Sequence, residues 1–451
     1  MDGACATVYV PNVRITQSTN DNRNTEDDSA LGPRAPQGAN VPLSALPKDT
    51  IIEPVVFTSA DGALSRGLFY RPTGRQPRVG VHLMHPRTDQ SLNYNIPPLV
   101  RAGYAVIGRA GRAVNNDVDT VHEEILLDLA AGVRMLRDSG CERVVLLGNS
   151  GGGSLASLYQ SQAQAVAASR LGPQPYTNVD LRSADLPPTD GLALIGIHVG
   201  EGRVLQDMLD PSVTDERDPF ARDPDLDMYD PGNGFRVPVT GIRYDAAFAE
   251  RYRAAQLHRV QRLDELARAA LSAQARARQE LAALPGDALP AQRLTLERLA
   301  VQAPFLTIYR TTADLAMADL TIDPDDRIAG GHDGHPRPDL QNWSTSGFAR
   351  YLTPRAWLST WSATSSHAST LRSLAAVTSP TLVVHYAGDV YTRMRDARAL
   401  GQAAATDDKT FVLVRRADHY GRPIGDTSSP DRVSEGTDAV VTWMTSHFPP
   451  D

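Results

Sequence analysis

Between residues 50 and 200 the apolar positions change rhythm repeatedly. IIEPVVFTS and ALSRGLFYRP alternate apolar and polar residues on either side of Asp61-Gly62, which predicts two strands joined by a turn. VGVHLMHP, ending at Pro86, is a continuous apolar run of the buried-strand type. LNYNIPPLVRAGY then predicts a short helix stopped at Gly103, and YAVIGR the next strand. Over 119–139 the spacing of Val121, Ile125, Leu129, Val133 and Leu136 predicts an amphipathic helix with an acidic first turn. RVVLLGNS follows as a strand, 151–169 as a helix, and GLALIGIHV (191–199) as another buried strand. Such alternation implies a mostly parallel, doubly wound α/β sheet with helices on both faces.

After residue 200 the rhythm is lost for about 170 residues, far more than the ~2–6 of an ordinary connection. This stretch opens with Asp-Pro turns and continues with one long Ala/Arg-rich helix over 245–284, stopped by Pro285-Gly286. FLTIYRTTADLAMADLTIDPDD reads as a hairpin, and TPRAWLSTWS as an aromatic helix. At Thr381 the strand and helix pattern returns, with strands TLVVHYAGD and TFVLVRRADHYG and a last helix over 430–448. The expected organisation is an extended or disordered arm (1–48), a sheet domain in two parts (49–200 and 378–451), and a mainly helical cap inserted between them (201–377). Residues 1–48 have too few clustered apolar positions to form a core.

Composition narrows the classes of function. A net charge of −8, with basic residues scattered among acids, argues against nucleic acid. The opening MDGACATVYVPN has no basic, then apolar leader pattern, and no apolar run reaches the ~18 residues of a membrane span. Two cysteines, Cys5 and Cys141, do not make a disulfide framework. These points lead to an expectation of a cytoplasmic protein that handles a small molecule away from membranes.

The chemistry is concentrated in VVLLGNSGGGSL (144–155). A dinucleotide fingerprint needs glycine at its third position, where Ser150 stands, and a phosphate loop needs a Gly-Lys-Ser/Thr ending, which is absent. Gly148-Asn149-Ser150-Gly151-Gly152 instead fits G-x-S-x-G between a strand and a helix, a turn that exposes a serine nucleophile. Small residues at 148 and 152 let the sharp turn clear its neighbours, and the Gly151 N–H opens a helix where an oxyanion would form. A serine needs a base and the base an orienting acid. Asp389, ending the strand TLVVHYAGD, and His419, in the loop after the last strand, follow in the order Ser, Asp, His.

With this elbow and triad order the chain resembles the α/β-hydrolase superfamily over about 50–200 and 378–450. The resemblance implies Ser150 as nucleophile, His419 as general base then acid, and Asp389 as its orienting group. It also implies a second oxyanion donor from the loop after the third strand. There the family has His-Gly, and this chain has His85-Pro86-Arg87. Because proline has no N–H, the expected donor moves to the Arg87 N–H, with Thr88 next, and His85 is expected to brace the loop.

The implied activity is that of a carboxylesterase-like serine hydrolase acting through an acyl-enzyme on an ester, a bulky or aromatic one given the large cap, with no cofactor or metal. The same triad also serves C–C bond hydrolases of diketone-like compounds and lactonases, and a ligand-binding homologue without turnover is the alternative from another class. His85, His198 and Glu201 stand as substrate-contacting candidates. Arg109 and Arg112 fit either a substrate carboxylate or local salt bridges. DPDLDMYD (223–230) and HDGH (332–335) lack the ligand spacing of calcium or zinc sites. Trp343, Trp357 and Trp361 fit a pocket wall or the cap's own core. The stripe Phe248, Tyr252, Leu257, Val260, Leu263 and Leu271 fits packing within the cap or a homodimer through it.

Overall fold

The computed structural model describes residues 40–114, 118–425 and 432–450. Most of the expected N-terminal arm, and Cys5, lie outside the described residues. β1 (Thr50–Thr58) and β2 (Leu64–Pro72) pair antiparallel, with Thr58 opposite Leu64 across the Asp61-Gly62 turn. β1 lies at the sheet edge, where Pro54 interrupts no second ladder. β3 (Val79–Met84), β4 (Ala105–Arg109), β5 (Arg143–Asn149) and β6 (Gly191–Ile195) follow, connected by α1 (Ile96–Ala102), α2 (His122–Asp138) and α3 (Gly151–Gln164).

The long insertion holds α4 (Glu201–Met208), α5 (Ala246–Ala282) and α6 (Pro290–Val301), together with shorter turns of helix. Its two small strands, β7 (Leu306–Thr307) and β8 (Tyr351–Leu352), pair with each other. The hairpin expected over 305–326 is therefore not formed: the partner of β7 comes from far downstream, and the residues after β7 form the helix Leu315–Ala318. α6 had no counterpart in the expected elements.

β9 (Thr381–Tyr386) and β10 (Lys409–Val414) return to the main sheet, whose order is β1-β2-β4-β3-β5-β6-β9-β10. All pairs from β4 onward are parallel. It is a mostly parallel, doubly wound α/β sheet, as the sequence pattern implies. The continuous apolar runs are explained by its two covered faces. Val81, Leu83, Val145 and Leu147 pack with Leu99 and Val440 on one side, while Val144, Leu146, Leu192 and Leu194 pack with Ile125, Val133 and Leu155 on the other.

Two boundaries differ from expectation for local reasons. α2 starts at His122 rather than 119 because the preceding residues bond to the insertion: Asp119 accepts from Thr353 Oγ1 (2.7 Å) and Arg355 Nε (2.8 Å), and the Thr120 carbonyl accepts from Thr360 Oγ1 (2.7 Å). Inside the helix, Glu123 accepts from Ser359 Oγ (2.5 Å) and lies 2.9 Å from His367 Nδ1, and Arg355 also reaches Glu124 (3.0 Å). β6 stops at Ile195, because Gly196 (φ 56°) turns the chain. That turn carries His198 and Glu201 toward the carboxyl edge of the sheet.

Asp245 caps α5 by accepting from the Ala247 and Phe248 N–H groups. The α5 stripe is buried at Phe248, Tyr252, Val260 and Leu263, against insertion residues that include Trp357 and Trp361. Trp357 donates its indole N–H to Asp264 (2.7 Å). Of the three tryptophans of the insertion, Trp357 and Trp361 are core residues, and Trp343 is half exposed beneath the Arg310 guanidinium.

Candidate active site

Ser150 occupies the junction of β5 and α3 with φ 54° and ψ −127°. A non-glycine residue there stores on the order of 1–3 kcal/mol of backbone strain. The neighbours are tight enough to hold it. A Cβ on Gly148 would stand 2.6 Å from Gly153 Cα, and one on Gly152 would stand 2.6 Å from the Met84 carbonyl at the end of β3. The Ser150 N–H donates to the Ile195 carbonyl (3.2 Å), and Asn149 Nδ2 donates to the same carbonyl (3.0 Å), tying the turn to β6.

The two residues expected to act with Ser150 lie beside it. Ser150 Oγ is 2.9 Å from His419 Nε2, and His419 Nδ1 is 2.7 Å from Asp389 Oδ2. The other Asp389 oxygen accepts from the Tyr391 N–H (2.7 Å). Burial alone would raise the Asp389 pKa, but the His419 and His385 charges and these hydrogen bonds outweigh it and hold the carboxyl below its usual range. A carboxylate at Nδ1 puts the ring proton there and leaves Nε2 as an acceptor facing the serine hydroxyl. His419 is wedged edge-on between Tyr391 (4.7 Å) and Tyr420 (5.1 Å).

Further residues crowd the floor of the site. Glu201, the first residue of α4, is buried and accepts from Ser154 Oγ (2.7 Å). His122 Nε2 lies 3.6 Å from the same carboxylate. Burial pushes the Glu201 pKa up, yet His122, His198, Arg87 and the Ser154 hydrogen bond together lower it. His198 is buried, its Nδ1 accepts from the Gly200 N–H (3.1 Å), and burial brings its pKa down to about 4. Aromatic residues of the insertion pack behind Tyr391: Phe348 lies 5.6 Å from Tyr391 and 6.0 Å from the buried Trp361, and His332 Nε2 hydrogen-bonds the Tyr391 hydroxyl (2.6 Å). The Arg87 guanidinium covers the faces of Trp361 (4.8 Å) and Phe348 (5.5 Å).

One expectation for the site is corrected. The Arg87 N–H, expected as the second oxyanion donor, is directed at His85 Nδ1 (3.1 Å), and so is the Thr88 N–H (3.1 Å). With Pro86 supplying no N–H, the loop turns its next two amides onto the imidazole that braces it. Gly151 N–H does lie in the first turn of α3, where amides have no partner within the helix.

Arg109 and Arg112 serve the fold. Arg109 is buried under Phe57 (3.9 Å), donates to the Asp128 carbonyl (2.9 Å) and to Ser65, and has its pKa lowered to about 10 by burial. Arg112 bridges Asp61 (2.5 Å) and Asp128 (2.7 Å). Asp223 and Asp230 cap short turns, Asp227 pairs with Arg222 (2.6 Å), and His335 accepts from the Arg337 N–H (3.1 Å). Among the described residues no three His, Cys, Asp or Glu side chains are grouped to hold a metal ion, and no helix is long and apolar enough to cross a membrane.

Sequence reasoning did not single out His122, Ser154, Phe348 or Tyr391. Tyr391 alone carried a local signal, standing two residues after an aspartate in a turn. The others reach the site only through packing.

No family model and no curated protein matches the chain. Among solved structures it is similar to DcsB in complex with its substrate analogue (11% identity, TM-score 0.45, covering 88% of this chain and 100% of that one). The α/β hydrolase GrgF from Penicillium sp. sh18 gives 11% identity and a TM-score of 0.43, over 88% and 97% of the two chains. The esterase domain of a Rhodothermus marinus protein gives 13% and 0.39, over 88% and 98%.

Proposed function

We propose that this chain is a serine hydrolase that cleaves carboxylic esters through an acyl-enzyme. The observation that carries the reading is the continuous relay from Ser150 Oγ through His419 to Asp389, at 2.9 and 2.7 Å. A hydroxyl is a weak nucleophile unless a base receives its proton in the transition state. In the proposed reaction Ser150 Oγ attacks the acyl carbon while His419 Nε2 takes the serine proton, and the carbonyl oxygen becomes an oxyanion facing the Gly151 N–H. Collapse expels the alcohol, which leaves with the proton from His419. Water, deprotonated by the same imidazole, then attacks the acyl-enzyme, releasing the acid and restoring Ser150.

Asp389 keeps the imidazole in the required tautomer and stabilises its charged form. The partly exposed rings of Tyr391 and Phe348, beside His419, favour an apolar or aromatic group on the ester. The test pairs labelling with turnover. A fluorophosphonate probe should label Ser150 of the wild type and not of Ser150→Ala, and p-nitrophenyl esters should be hydrolysed by the first alone. Absence of label, or faster cleavage of a diketone C–C bond than of any ester, would overturn the reading.

A further inference from the structure

His85 is held in a way that bracing alone does not require. Its Nδ1 accepts two backbone N–H groups, those of Arg87 and Thr88, each at 3.1 Å. A ring nitrogen that accepts twice cannot carry a proton, so the single proton of the neutral ring is on Nε2. The ring stays neutral: His85 is 5% exposed, and burial, aided by Arg87 and the neighbouring histidines, brings its pKa well below the ordinary value. The direction of Nε2 follows from the glycine it faces. A Cβ on Gly151 would stand 2.8 Å from His85 Nε2 and 2.5 Å from Glu201 Oε1. The position after the nucleophile is free in the G-x-S-x-G pattern. Here it is glycine because the His85 ring and Glu201 occupy the space a side chain would fill.

Building on the ester-hydrolase reading above, we propose that His85 is a catalytic residue: its Nε2–H, with the Gly151 N–H, forms the oxyanion hole, replacing the backbone donor that the loop after β3 would otherwise supply. The two amides able to play that part are turned onto Nδ1, where they fix the tautomer that points a proton at the site. The imidazole thus relays the loop's hydrogen bonding across its ring.

The test compares wild type with His85→Leu and His85→Gln on one p-nitrophenyl ester and on an alkyl boronic acid, which mimics the tetrahedral adduct. Loss of an oxyanion donor costs about 10²–10³ in kcat, so His85→Leu should fall by that factor with KM within about threefold. His85→Gln, whose amide N–H reaches a similar point, should recover at least about tenfold of that loss. Boronate affinity should follow kcat/KM across the three proteins, and thermal melting would identify a variant that is merely misfolded. If His85→Leu melts well below wild type, the comparison of His85→Gln with His85→Asn carries the test, the shorter amide being expected to lose both turnover and boronate affinity. Near-wild-type kcat in folded His85→Leu, or loss of kcat in the variants without loss of boronate affinity, would overturn the proposal. A wild type that neither labels nor hydrolyses esters removes the reading beneath it instead, so the two failures are told apart.

Discussion

Two turns face each other across the site, and they are built on opposite principles. After β5 the chain exposes backbone: glycines flank Ser150, the turn is strained at φ 54°, and the Gly151 amide opens α3. After β3 the chain withdraws backbone: Pro86 has no N–H, and the Arg87 and Thr88 amides are bound to a side chain. The first turn obeys a rule written in five consecutive residues. The second depends on which nitrogen of one imidazole carries a proton.

The comparison is broken most severely at the relay. Ser150→Ala and His419→Ala should each lower kcat by a factor on the order of 10⁵–10⁶, the size found where nucleophile and base act as a unit. Combining them should cost little more, and additive losses in steady-state turnover would show that the two do not act together. Asp389→Asn leaves the shape intact but presents an amide to His419 Nδ1, favouring the wrong tautomer, and should cost about 10⁴ in kcat. Full activity in this variant would transfer the orienting role to another acid, with Glu201 as a candidate.

Gly152→Ala sharpens the contrast structurally. Alanine gains about 1 kcal/mol of helix propensity over glycine, but its Cβ would stand 2.6 Å from the Met84 carbonyl. Overpacking against backbone costs about 1–3 kcal/mol, so the net change should be destabilising, and it should displace the residue before His85. A melting temperature equal to or above wild type would show that β3 yields without cost.

Acid should also weaken the protein from the histidine side. Burial pushes His82, His85, His198 and His385 below the usual imidazole value, His198 to about 4. In the unfolded chain each binds a proton near pH ~6.5. Between that value and the folded ones the unfolded chain holds more protons, so stability is full above pH ~6.5 and is lost as pH falls toward about 4. His198 alone accounts for roughly 3 kcal/mol of this loss. Thermal melts from pH 7.5 to 4.5 should fall, and His198→Gln should flatten the curve. A melting temperature constant over that range would mean that these rings are protonated in the folded protein.

Legibility in the sequence followed the same division. The strands around Ser150, the glycine turn and the meeting of Ser150, Asp389 and His419 were readable, because strand period and turn spacing are local and the chain order follows from where successive parallel strands end. The aim of the Arg87 amide was not readable, since it is decided by His85. The insertion was harder still. β7 finds its partner in β8, far along the chain, and Glu201 and His122 come together only when α4 and α2 pack. Such pairings leave no periodic trace.

The bonds joining the start of α2 to residues 353–367 have a consequence for how the molecule breathes. Glu123, Thr120 and Asp119 bind that segment through Ser359, Thr360, His367, Thr353 and Arg355, several of them fully buried, so this side of the insertion is a fixed frame to the site. α6, by contrast, leaves Leu294, Leu299 and Val301 exposed. In hydrogen–deuterium exchange the amides of 353–367 should open with the sheet as one cooperative unit, while α6 exchanges first.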